Sequence, residues 1–156
     1  MDIKSMNPAL QTSFLLEIPA APELNYHIQN CELPGLTMAG VDTPFKNHQA
    51  SVPSNRIEFD QLTLSFLVDE QWKNWEFIFN WMKNIRTGKG SIQSTMSDIT
   101  LNLVNSNKNL NQLLVFHDAY PTFLSALSLD SATVEATPLQ ASLTFRFQDY
   151  ELKRAT

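Results

Sequence analysis

The sequence predicts a mainly β (α+β) fold: an antiparallel β-sandwich or open barrel of about seven strands, with one flanking amphipathic helix at about residues 69–86. Three observations predict it. Apolar residues alternate with polar ones over short stretches, most clearly at Leu62, Leu64, Phe66 and Val68 and at Ala141, Leu143, Phe145 and Phe147. Only one stretch repeats its apolar residues three or four apart: Trp72, Trp75, Ile78, Phe79, Met82 and Ile85. The connectors between alternating stretches are mostly short and polar, as hairpin-linked strands require.

The composition supports a single domain spanning 1–156, with a short N-terminal arm at 1–11 and a long interaction loop at 42–55. Hydrophobic residues make up 43% of the chain and glycine occurs only four times, which fits a packed globule and not a disordered polymer. Eleven Lys and Arg against sixteen Asp and Glu give a net charge of −5, which argues against a surface that grips nucleic acid. The same charge is compatible with a surface past which DNA slides without adhering. Cys31 is the sole cysteine, so no intramolecular disulfide is possible, in keeping with cytosolic folding. The opening MDIKSMNPAL lacks the apolar core of a signal peptide, and no apolar run approaches the roughly 20 residues of a membrane span, so no membrane partner is expected.

Taken in order, Phe14, Leu16 and Ile18 alternate with Leu15 and Glu17 and predict the first strand, ended by Pro19 and Pro22. Leu24, Tyr26 and Ile28 predict a second, close enough to pair with the first as a hairpin. Pro34-Gly35 is a turn signal, because proline fixes φ at the first corner and glycine supplies a positive φ at the second. A short strand follows at 36–41. The polar segment 42–55, broken by Pro44 and Pro53, is long for a connector and reads as a disordered segment, as an interaction loop, or as an extended hairpin arm that leaves the domain. The strand at 62–68 then runs directly into the helix. Asp69 is its expected N-cap, Glu70 complements the positive end of the dipole, Lys83 and Arg86 the negative end, and Gly88 stands just past the terminus. All three tryptophans lie on this helix; the face reads as core, and because it carries more aromatic surface than one helix face usually buries, part of it is expected against a neighbouring subunit. Residues 98–117 read as a hairpin turning at 105–111, residues 118–122 as a turn, and 124–129 as a strand. The closing strand starts at Ala141 and ends at Tyr150 or Leu152.

Chemistry is sparse. His27, His48 and His117 share no metal-ligand spacing, Cys31 has no CxxC partner, and no metal or cofactor is expected. His117-Asp118 reads as a surface turn, Asp69-Glu70 as helix capping, and Gly88-Lys89-Gly90-Ser91 lacks the spaced first glycine of a phosphate loop. Lys83, Arg86 and Lys89 form a small basic cluster. No catalytic constellation converges, and the chain is not expected to be an enzyme.

Five stretches, in this order, carry a family likeness: Phe14 to Ile18 with the following Leu33-Pro34-Gly35; Thr43-Pro44-Phe45 to Val52-Pro53 before Glu58-Phe59-Asp60-Gln61-Leu62-Thr63; Phe66-Leu67-Val68-Asp69 running into the helix with Trp75 and Trp81; Tyr120-Pro121-Thr122 with Leu127-Ser128-Leu129-Asp130-Ser131; and Leu143-Thr144-Phe145-Arg146-Phe147 with Asp149-Tyr150. Together they resemble the contractile-tail tube proteins of bacteriophages and related injection machines. The resemblance implies a structural virion protein, assembled in the host cytoplasm, that forms six-subunit stacked rings whose inner strands close a barrel around a DNA channel. It implies tail sheath and baseplate or neck proteins as partners, and DNA that passes without specific binding. Tube-like proteins also begin the tube at the baseplate or end it near the neck. Under this likeness Pro44, Phe45, Lys46, Asn47, His48, Val52, Pro53 and Arg56 are expected at inter-ring or subunit contacts. Ser142, Thr144 and Gln148 are expected to face the channel. The alternative of another class is a monomeric ligand-binding β-barrel with the helix as its lid.

Overall fold

In the computed structural model, which describes residues 8–154, the strands are β1 (Phe14–Glu17), β2 (Ile28–Glu32), β3 (Leu36–Phe45), β4 (His48–Phe59), β5 (Leu62–Leu67), β6 (Ser97–Val104), β7 (Leu110–Leu124), β8 (Gln140–Arg146) and β9 (Asp149–Arg154). The one α-helix among the described residues, α1, spans Lys73–Thr87. Seven strands form a single antiparallel sheet in the order β1-β6-β7-β8-β5-β2, with β9 also paired to β7; β3 and β4 pair only with each other. This is the mainly β architecture with one covering helix that the alternation predicts, and the sheet does not close into a barrel. The N-terminal arm expected at 1–11 falls mostly on residues 1–7, outside the described residues; 8–11 are exposed.

The sheet folds over because β7 serves two neighbourhoods. Its first half lies between β6 and β9, and its second half pairs with β8. Asp118 adopts a left-handed φ of 53° between the halves, and its N–H donates to Asp98 Oδ1 at 3.1 Å. Turn chemistry is therefore present where the sequence places a turn at 118–122, but it is absorbed as a bend inside one continuous strand. The bend brings Leu114, Phe116 and Ala119 into one core with Leu16, Ile99 and Leu101 from the first half-sheet and with Leu64, Phe66, Leu143 and Phe145 from the second. Phe66, Phe116 and Phe145 are fully buried and fill the interior that a ligand-binding barrel would keep open.

Helix α1 covers this core with Ile78 and Trp81. The Trp81 ring stands 5.8 Å from that of Phe145, and its Nε1–H donates to the Thr95 carbonyl at 2.7 Å, so the indole is buried without an orphaned donor. That bond also pins the Gly- and Ser-containing connector, which forms a short 3-10 turn at Ile92–Thr95. Only part of the predicted face is inward. Ile78 is fully buried and Trp75, Met82 and Ile85 are half-buried, but Phe79 is 37% exposed. Trp81, absent from the predicted stripe, takes its place. Gly88 ends the helix at φ 63°, as expected.

The N-terminus differs from the expectation. The helix starts at Lys73, and its N-cap position is Trp72 at φ 60°, with no side-chain cap. Asp69 is not the cap. Asn74, 1% exposed, does the corresponding work: its Oδ1 accepts from the N–H groups of Asp69 (3.1 Å) and Trp75 (2.8 Å), and its Nδ2 donates to the Leu67 carbonyl (2.8 Å). One buried amide thus ties the end of β5 to the start of α1.

Several strand assignments also change. The second strand starts at Ile28, because Pro22–Leu24 forms a 3-10 turn. β1 and β2 are not a hairpin: β1 pairs with β6 and β2 with β5, placing them at opposite ends of the sheet. Residues 125–139 carry no regular strand, so the strand expected at 124–129 is absent. The closing strand splits at 147–148 into β8 and β9, which join different half-sheets. The hairpin turning at 105–111 is present; Asn105 Oδ1 accepts from the N–H groups of Asn107 and Asn109.

Replacing Asn74 by Ala removes three hydrogen bonds and buries unpaired backbone groups, so we expect a loss of about 3 kcal/mol in urea unfolding. Asp69→Ala is expected to cost less than about 0.5 kcal/mol. Equal effects would contradict this assignment of the helix start.

Candidate functional site

The outer face of β2, β5 and β8 is polar by the same alternation that makes the inner face apolar. In register, Asn30 stands opposite Ser65 and Ser65 opposite Ser142; Glu32 stands opposite Thr63 and Thr63 opposite Thr144. Gln140 Nε2 donates to Ser65 Oγ at 3.2 Å, and Ser125 Oγ accepts from the Ser142 N–H at 2.8 Å. Two rows of short hydroxyl and amide side chains therefore cross the half-sheet. The only charged residues of these three strands are Glu32 at one margin and Arg146 at the other. The face is wettable and close to neutral, and it offers phosphate no cluster of cations.

Of the three residues expected on this face, Ser142 and Thr144 are there, and Thr144 is largely buried at 8% exposure. Gln148 is not. The break at 147–148 removes it from the strand, and it lies instead beside Ile85, Met96 and Tyr120 near the end of α1. Thr63 and Ser65 were legible as the polar side of an alternating strand. Asn30 and Glu32 were not, because the second strand starts later than the sequence suggests.

The other surface is the β3–β4 hairpin. Segment 42–55 is the extended arm among the three readings the sequence leaves open. Val41 pairs with Val52, Thr43 with Ala50 and Pro44 with Gln49, and the tip turns at 46–47 between Phe45 and His48. Pro44, Phe45, Lys46, Asn47 and His48 thus cluster at the tip. Val52, Pro53 and Arg56 lie along the returning strand, where Arg56 pairs with Glu58 at 3.2 Å in solvent. Met38, Val41, Val52 and Ile57 are all about half-exposed or more. The root of the arm is fixed to the domain. The Phe59 ring packs on Tyr150 (5.4 Å) and Phe147 (5.8 Å), the Tyr150 hydroxyl donates to the Pro34 carbonyl (3.3 Å), and the Asp60 N–H donates to the Gly35 carbonyl (3.0 Å). At Gly35 a Cβ would stand 2.7 Å from Asp60 Oδ2, so a side chain there requires the Asp60 carboxylate to move.

His117 lies within a strand and not in the expected surface turn. Its Nε2 meets Glu151 Oε1 at 2.6 Å and its Nδ1 approaches Asp98 Oδ2 at 3.5 Å, linking β6, β7 and β9. The hydrogen bond to Glu151 is the main cause that raises the His117 pKa above 6.5, and the same bond lowers that of Glu151 below 4.5. Cys31 is half-buried on β2, and burial pushes its thiol up to about 11, which keeps it protonated and unreactive at neutral pH. Among the described residues, no group of three or more His, Cys, Asp and Glu is placed to hold a metal ion.

Comparison with known proteins gives a consistent result. A family profile described as phage tail tube protein matches residues 3–153. The chain is 30% identical over 132 residues to the tail tube terminator protein of Enterobacteria phage T4, covering 78% of this chain and 74% of that protein. Among solved structures, it is similar to the tube terminating cap of the anti-feeding prophage, with a TM-score of 0.74 at 16% identity, covering 99% of this chain and 97% of the other. It is also similar to the sheath-tube complex of an extracellular contractile injection system, PVC, in its extended state, with a TM-score of 0.73 at 14% identity and 99% of both chains covered. At these identities the structural likeness concerns the fold.

Two outcomes follow from the geometry. Shortening the hairpin by removing residues 42–51 and joining Val41 to Val52 through an Asn-Gly turn is expected to move Tm by less than about 3 °C, because the arm contributes little to the core. A large drop would mean that the arm stabilises the domain. For His117, a folded pKa raised above its unfolded value contributes stability that is full below about pH 6.5 and is lost as pH rises through the folded pKa. The denaturation midpoint of the natural chain is therefore expected to fall between about pH 6 and 8 more than that of His117→Gln. Parallel curves would show that the pair adds nothing.

Proposed function

The chain belongs to the phage tail tube protein family, and from that premise we propose that it is a structural ring protein of a contractile tail that ends the tube as its terminator. The observation that carries the terminal position is the 30% identity, over most of both chains, to the T4 tail tube terminator. Six copies form the ring, the polar faces of β2, β5 and β8 line the channel, and DNA passes without specific binding. The near-neutral wall supports this reading: a cationic wall would hold phosphate, and an apolar one would not stay wetted. The opposite ends of the open sheet, β1 and β2, leave backbone donors and acceptors free to pair between neighbouring subunits. The projecting β3–β4 hairpin supplies the contact along the tail axis through Pro44 to His48, Val52, Pro53 and Arg56. Its partners are the last tube ring and the sheath, neck or baseplate proteins of a virion tail assembled in the host cytoplasm.

A second reading, an internal ring of the tube, is favoured by the hairpin itself, since an axial arm serves a repeating stack as well as a single contact. Negative-stain electron microscopy separates the two. The purified chain is expected to form rings that do not lengthen alone, and that bind one end of preformed tubes and stop their growth. Shortening the hairpin between Val41 and Val52 is expected to abolish that capture. Long tubes made by this chain alone would replace the terminator reading with the internal one. A chain that neither forms rings nor joins a tube end would contradict both.

A further inference from the structure

We infer that a groove beside α1 receives the 129–135 loop of a second copy of this chain. The inference deepens the ring reading and rests on it. The groove, about 450 Å³, is walled by Trp75, Phe79 and Met82 on the helix and by Leu124 at the end of β7, and rimmed by Lys83 and Arg86. Its floor is ordered: the Trp75 and Phe79 rings stack at 5.2 Å and 16°, and the Lys83 ammonium sits 4.6 Å from the centre of the Phe79 ring. It is thus an apolar slot with a cationic edge, left open by the chain that makes it.

The same chain carries a segment of opposite character. Between Ser125 and Leu139 it has no lysine or arginine, and its two most exposed apolar side chains, Leu129 (72%) and Val134 (101%), are each followed by an acid, Asp130 and Glu135. The tip has a built shape: Asp130 Oδ1 accepts from the Ala132 N–H at 2.9 Å, and the Asp130 carbonyl accepts from the Thr133 hydroxyl at 3.1 Å. The loop is tied down at both ends, where the Ser125 N–H donates to the Ser142 carbonyl and the Val68 N–H to the Leu139 carbonyl. Its apolar side chains remain in solvent, so it does not fill its own groove. An apolar-acidic knob and an apolar-basic socket on one chain make a head-to-tail contact, the kind that closes into a ring or continues as a filament. Charge complementarity fixes the register of such a contact, and burial of Leu129 and Val134 against the stacked rings supplies its apolar part.

The test measures self-association of the full chain by sedimentation velocity at low salt over a wide concentration range. Arg86→Glu and Glu135→Lys are each expected to weaken assembly by about tenfold or more, the scale of close interfacial charge pairs. The double variant, which restores opposite charges in exchanged positions, is expected to recover most of that loss. Both residues are exposed, and unchanged circular dichroism and Tm would confirm that the variants fold. Val134→Ser is expected to weaken assembly without regard to charge. Rings that persist unchanged in both single variants overturn the groove assignment and leave the ring reading intact. Failure of the double variant to recover, or a natural chain that stays monomeric at every concentration, also overturns it. Capture at tube ends then decides the ring reading independently.

Discussion

A strand that must serve two half-sheets needs its phase to slip where it passes from one to the other, and in this protein that passage is at Asp118, ahead of a second register shift between Pro121 and Phe123. Before it the inward residues of β7 are Leu114 and Phe116; after it they are Ala119 and Pro121. A regular strand would have sent Ala119 and Pro121 to the outer face, because the side-chain period is two. One extra residue at φ 53° restores the inward phase and turns the chain at once. The rest depends on that slip. It allows β6 and β9 to flank the first half and β8 the second, so that Phe116 and Phe145 share one core under Trp81. The same half-sheet carries β9, whose Tyr150 holds the root of the hairpin.

The sequence was most legible where one face is buried along a straight element. The alternations in β5 and β8 and the mainly β class with one helix all follow from two periodicities. It was least legible where a local signal had two possible owners. Asp69 has the chemistry of an N-cap, but Asn74, buried and three-way bonded, holds the helix start from inside. Asn reads from sequence as a surface or turn residue, and only burial reveals the role. Tyr120-Pro121-Thr122 carries turn residues that the strand uses as a bend. The closing alternation runs through Phe147 without marking the break that moves Gln148 off the polar face. Pairing partners were the hardest to read: β1 and β2 are neighbours in sequence, yet their hydrogen bonds go to β6 and β5.

The candidate surfaces divide along the same physical lines. Three main stabilising features point inward: the aromatic core, the Asn74 clasp and the Trp81 bond. What points outward is arranged for contact. The hairpin keeps its half-exposed Met38, Val41, Val52 and Ile57 away from the core, β1 and β2 are the outer strands among the described residues, and a groove runs beside Leu124. The ring reading proposed above assigns this open edge and apolar surface to neighbouring subunits. The polar face across β2, β5 and β8 is the exception, because its short neutral side chains suit water rather than protein.

The terminator reading commits the chain to a copy number, and that is the quantity to measure first. Quantitative mass spectrometry of purified intact tails, with labelled peptides of this chain and of the main tube protein, counts both together. A terminator is present as a single ring's worth of copies per tail, far below the tube protein. Copies that rise in proportion to tube length would contradict it and make this chain the repeating wall of the tube.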